Sequence, residues 1–65
     1  MKTPPPSYHG EAILEFVPQG GYVKVSAIDT ATGIEVSIVG DPAARKDYLE
    51  TIVLRKLARK LQQTS

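Results

Sequence analysis

The hydrophobic pattern changes period once, near Asp41-Pro42, and that change limits the fold more than any other feature of the chain. Before it, apolar residues recur at every second position, as in half-buried strands. After it they recur every three to four positions, as on one side of an amphipathic helix.

Two alternating runs come first. In "EAILEFV", Ala12, Leu14 and Phe16 share one side, and Glu11, Ile13, Glu15 and Val17 share the other. In "YVKVSAI", Val23, Val25 and Ala27 oppose Tyr22, Lys24, Ser26 and Ile28. The "PQGG" between them predicts a turn in which Pro18 fixes φ and Gly20-Gly21 are free to take positive φ. Pairing Val17 with Tyr22 would set Phe16 against Val23, Leu14 against Val25 and Glu15 against Lys24, matching apolar with apolar and acid with base. A second turn, "DTATG", predicts Asp29 accepting bonds from backbone N–H groups ahead of it, with Gly33 left-handed. The third run, "IEVSIV", turns Ile34, Val36 and Ile38 inward and Glu35, Ser37 and Val39 outward.

Beyond Asp41-Pro42 the spacing predicts a helix starting between 43 and 47 and ending near 62. Asp41 with Pro42, or Asp47 with Glu50, would supply its cap. At 100° per residue, Leu49, Val53, Leu54, Leu57, Ala58 and Leu61 form one apolar arc centred near Leu57. The doubled phrase "LRKLARKL" follows from this. Its leucines line the arc, its Arg-Lys pairs line the solvated side, and its basic residues suit the negative end of the helix dipole.

The expected fold is therefore α+β: a three-stranded antiparallel meander with one C-terminal amphipathic helix packed on one face, β-β-β-α, spanning residues 11–63. Residues 1–10, with Pro4-Pro5-Pro6, are expected to form a disordered Pro-rich tail. Within it, Pro5-Pro6-Ser7-Tyr8 fits a P-P-x-Y ligand pattern, a short motif with many chance matches. A single domain of this size has a core worth only about 3–5 kcal/mol, so association with another chain would help to stabilise it.

Catalytic chemistry finds little to use. The chain has no Cys, and its one His, His9, falls in the tail with no second ligand for a metal. Glu11 and Glu15 share a side but stand about 13 Å apart along a strand, too far for a working carboxylate pair. No glycine loop cradles phosphate ahead of the helix. The reading is a non-enzymatic chain with no cofactor and no metal site. An apolar run as short as Ile52-Val53-Leu54 cannot span a membrane, and the Pro-rich start lacks the apolar stretch of a secretory leader. A cytoplasmic setting is therefore expected.

Charge divides the chain. Residues 1–44 carry two basic against five acidic side chains, net −3; residues 45–65 carry six basic against two acidic, net +4. Arg55, Lys56, Arg59 and Lys60 form the candidate contact for nucleic acid, RNA or DNA, through the basic side of the helix. Against this, the outward side of the sheet carries Glu11, Glu15 and Glu35 with Lys24 alone, a surface that repels phosphate.

The stronger expectation is a protein-interaction module. One helix covers one side of a three-stranded sheet, leaving Ile13, Val17, Ile28 and Val39 on the other, while Tyr48 and Ile52 project from the polar arc of the helix. These six residues are the candidate interface. The expected partner is a second copy in a homodimer, or an unidentified protein.

The run "VKVSAIDTATGIEVSIVGDP" together with "LRKLARKL" resembles a family of very short uncharacterised alphaproteobacterial proteins, a domain of unknown function, over residues 11–62. The resemblance implies a bacterial, cytoplasmic setting and implies no activity.

Overall fold

A computed structural model describes residues 7–64 of the chain. It shows strands β1 (Ala12–Gln19), β2 (Tyr22–Asp29) and β3 (Glu35–Gly40), followed by helix α1 (Lys46–Thr64). The strands form one antiparallel sheet in the order β1-β2-β3. The expected β-β-β-α architecture and the inward side of each strand are as the alternation predicts.

The register of the first hairpin differs from the expected one by two residues. Gln19 pairs with Tyr22, Val17 with Lys24, Phe16 with Val25, and Glu15 with Ser26. The reason lies in the turn. Gly20, with φ 62°, and Gly21 alone make the reversal, so Pro18 and Gln19 extend β1 instead of forming the loop. Pro18 is tolerated there because β1 is an edge strand and its outer side needs no ladder donor. A two-residue slip preserves which side each residue faces, so the expected core survives the wrong pairing.

The second turn forms as expected. Gly33 takes φ 76° and its N–H donates to the Asp29 carbonyl at 2.8 Å. The Thr32 N–H donates to Asp29 Oδ2 at 3.0 Å.

Asp41 caps a turn and not the helix. Its Oδ1 accepts from the Ala43 N–H at 2.8 Å and its carbonyl from the Ala44 N–H at 2.9 Å. Helix α1 begins five residues later, with the Arg45 carbonyl accepting from the Leu49 N–H at 3.2 Å. Asp47 sits inside the first turn, where a carboxylate suits the positive end of the dipole, and Arg45 Nη2 pairs with it at 3.1 Å. The expected cationic C-terminus is absent. Arg59 and Lys60 lie one turn earlier, and the last turn carries no basic residue.

The buried core comprises Val23, Val25 and Ala27 of β2, Val36 of β3, and Leu49, Val53 and Leu57 of α1. Ala12, Leu14 and Phe16 of β1 pack against it but stay half-buried. Geometry explains the difference. A helix about 10 Å across covers two strands about 4.8 Å apart, and α1 lies chiefly over β2 and β3. Lys46 partly shields β1, with its Nζ 5.5 Å from the Phe16 ring centroid.

Candidate functional site

The open side of the sheet is built by the register. Three rows run across the strands: Val17–Lys24–Val39, then Glu15–Ser26–Ser37, then Ile13–Ile28–Glu35. Ile13 is 58 % exposed and Val39 67 %, while Val17 and Ile28 are half-buried by their neighbours. Tyr22, at the hairpin end, adds an exposed ring that alternation placed on this side but that was not singled out. The four expected interface residues thus share the open side but do not touch as one patch, because the Glu15–Ser26–Ser37 row divides them into two pairs. The wrong hairpin register concealed this division.

The outer side of α1 is the second free surface. Tyr48 is 61 % exposed and Ile52 half-buried, with Arg55, Arg59 and Lys60 exposed below them. No carboxylate pairs with these three cations among the described residues. Lys56 behaves differently from its neighbours. Its Nζ donates to the Ser37 carbonyl at 2.7 Å, occupying an acceptor of edge strand β3. Of the four expected nucleic-acid contacts, one is therefore already engaged with the protein's own sheet.

Sequence reasoning missed a third feature. Asp29 continues the inward series Val23, Val25, Ala27, and it is buried at 4 % exposure. Tyr8 Oη donates to its Oδ1 at 2.5 Å, and the Thr32 hydroxyl donates to Oδ2 at 2.8 Å. The signal for Asp29 was its parity in β2. None pointed to Tyr8, which the sequence reading placed in the tail as part of a peptide motif. Residues 1–6, which include Pro5 and Pro6 of that motif, lie outside the described residues. A Cβ at Gly10 would lie 2.8 Å from Tyr8 Oη and 3.1 Å from Asp29 Oδ1, so the chain approaches closely here.

This cluster ties the N-terminal segment to the sheet. The bonds from Tyr8 and Thr32 hold the Asp29 carboxyl below the usual range. Burial first, then the bond to Asp29 and the charges of Asp29 and Glu11, push the Tyr8 phenol up to about 12. Each shift has a stability consequence. Asp29 contributes stability at neutral pH that is lost as pH falls through its depressed value. Tyr8 contributes stability below its ordinary value of 10.0 that is lost as pH rises through about 12. Tyr8→Phe should therefore melt lower than the parent at neutral pH, begin its acid loss at higher pH, and lack the latest-ionising component of an alkaline tyrosinate titration. Loss of a component that titrates at the ordinary value of 10.0, with the latest-ionising one retained, would show that Tyr8 is free in solution.

The Asp29 carboxylate is met by two hydroxyl donors and a backbone N–H, and His9 is exposed. Among the described residues, no three His, Cys, Asp or Glu side chains gather to hold a metal, and no helix is long and apolar enough to cross a membrane.

The fold and its surfaces define a small two-layer α+β protein with one side of its sheet uncovered. The sequence pattern of the domain of unknown function DUF6898 matches residues 9–64, and the chain belongs to that family. The match begins close to the docked Tyr8 and takes in both turns and all of α1. No curated protein and no solved structure matches the chain.

Proposed function

We propose that the chain is a small, non-enzymatic interaction module of the cytoplasm that associates with copies of itself. The observation that supports this most directly is the exposure of Ile13 and Val39 on the side of the sheet with no second layer. Water-facing apolar area on a domain with so thin a core is best stabilised by burial in a contact, at about 25 cal/mol per Å². Sedimentation over a concentration series tests it. The parent should grow in mass and in melting temperature with concentration. Ile28→Lys, which sets a cation beside Ile13 and Glu35, should lower both. A parent that remains monomeric at about millimolar concentration, and melts like Ile28→Lys, would sink the proposal.

A second reading is nucleic-acid binding through Arg55, Arg59 and Lys60, supported by their exposure with no carboxylate partner among the described residues. Running the same series with RNA separates the two. Binding that weakens steeply with salt and vanishes in Arg55→Glu/Arg59→Glu would favour nucleic acid. The glutamates of the open sheet side and the engagement of Lys56 both count against it.

A further inference from the structure

The outer side of α1 and the open side of the sheet lie on opposite faces of the molecule, and they carry opposite charge. We infer that each is the other's partner: the outer stripe of α1 in one copy docks along the open sheet side of the next, in a head-to-tail contact between copies of this chain. This inference rests on the self-association proposed above and specifies which surfaces meet.

Charge decides against the symmetric alternatives. A twofold contact of sheet side on sheet side brings Glu15 and Glu35 towards the same residues of the other copy, with only Lys24 to offset them. A twofold contact of helix on helix gathers Arg55 and Arg59 of both copies with no carboxylate among them. The head-to-tail contact sets arginines against glutamates. It also joins the apolar residues of the helix stripe to those of the sheet, which otherwise need two separate explanations.

Spacing agrees. Tyr48, Ile52, Arg55 and Arg59 follow one another at intervals of four, three and four residues, so they form one straight stripe on the helix. Its upper half is apolar and its lower half cationic. At about 1.5 Å per residue, the centres of the two halves lie about 10 Å apart. On the sheet, the row Val17–Lys24–Val39 lies about 7 Å from Glu15 and about 13 Å from Glu35, a mean of about 10 Å. Laid along the strands with Tyr48 and Ile52 over Val17 and Val39, the stripe brings its arginines to the two carboxylates. Lys24 then meets the Tyr48 ring and not an arginine, and a cation is accommodated at the face of an aromatic ring.

Such a contact does not close on itself. Each copy retains a free helix stripe at one end and a free sheet side at the other, so association proceeds beyond a dimer unless the rotation between copies closes a ring.

Charge-swap complementation tests the assignment. The helix variant is Arg55→Glu/Arg59→Glu and the sheet variant is Glu15→Lys/Glu35→Lys. All four positions are exposed, and circular dichroism checks that each variant is folded. Each variant alone should associate at least about tenfold more weakly than the parent. An equimolar mixture should recover the parent's association, because the acidic helix of one variant then meets the basic sheet of the other. Species larger than a dimer should be present in the parent and in the mixture. If only the sheet variant loses association, the contact is sheet on sheet. If only the helix variant loses it, the contact is helix on helix. Either result overturns the inference and leaves self-association standing, as does a mixture of folded variants that fails to recover. A monomeric parent removes both.

Discussion

Leu57→Ala should leave most of the protein unfolded at room temperature, while Arg55→Ala two residues away should melt like the parent. Leu57 is wholly buried at the centre of the apolar arc of α1, and it is among the largest side chains that are fully enclosed. Removing it deletes transfer free energy and leaves a cavity that the flat sheet cannot collapse to fill, at a cost of about 2–5 kcal/mol. A domain of this size has only about 3–5 kcal/mol to lose. Arg55 is exposed and pairs with no carboxylate among the described residues, so its truncation should stay within about 0.5 kcal/mol. Urea melts at low protein concentration, where association adds nothing, make the comparison. Equal effects would mean that the helix presents a different side to the sheet.

The contrast between those two residues was legible in the sequence because helical periodicity states which side is inward without reference to any partner. Strand alternation does the same, and all nine expected inward positions of the sheet do pack on the inner side. Pairing is less legible. Alternation fixes parity, and parity is identical for a four-residue and a two-residue turn, so the pattern alone could not choose between Val17 and Gln19 as the partner of Tyr22. The attractive Glu15–Lys24 pair misled because cross-strand charge pairs contribute little compared with a tight Gly-Gly reversal.

The same limit governs the candidate surfaces. Ile13, Val17, Ile28 and Val39 could be assigned to the open side from parity, but whether they touch depends on register, and the true register separates them. Lys56 looked like its neighbours because its reach to the Ser37 carbonyl is a contact between elements 19 residues apart. Asp29 shows in the sequence by its loop role, which is real, while its inward parity in β2 also buries it. Tyr8 could not be read at all, since one ring packed at the edge of the core and bonded to Asp29 leaves no periodic trace.

Gly40 carries the last expectation, and its role is one of packing. It closes β3 opposite Val23, on the inner side of the sheet, without a positive φ. Its backbone therefore does not require glycine, and alanine would ordinarily stabilise such a site by about 0.4–1 kcal/mol through the unfolded chain. Space decides otherwise. A Cβ at Gly40 would stand 2.6 Å from Leu49 Cδ2, 3.3 Å from Cδ1 and 3.5 Å from Cγ. Leu49 is buried, so its methyl cannot swing into solvent without uncovering core, and the start of α1 must lift instead. Gly40→Ala should therefore destabilise by about 1–3 kcal/mol, the usual cost of overpacking. Gly21→Ala, where nothing lies within 4 Å, should be nearly silent. The decisive measurement is a double-mutant cycle with Leu49→Ala. Removing the clashing methyls should make the loss at Gly40 largely disappear, giving a coupling of about 0.5–3 kcal/mol. If Gly40→Ala is as stable as the parent, or if its effect simply adds to that of Leu49→Ala, then Leu49 does not seat against this glycine. The close approach of α1 to the end of β3 would then be wrong.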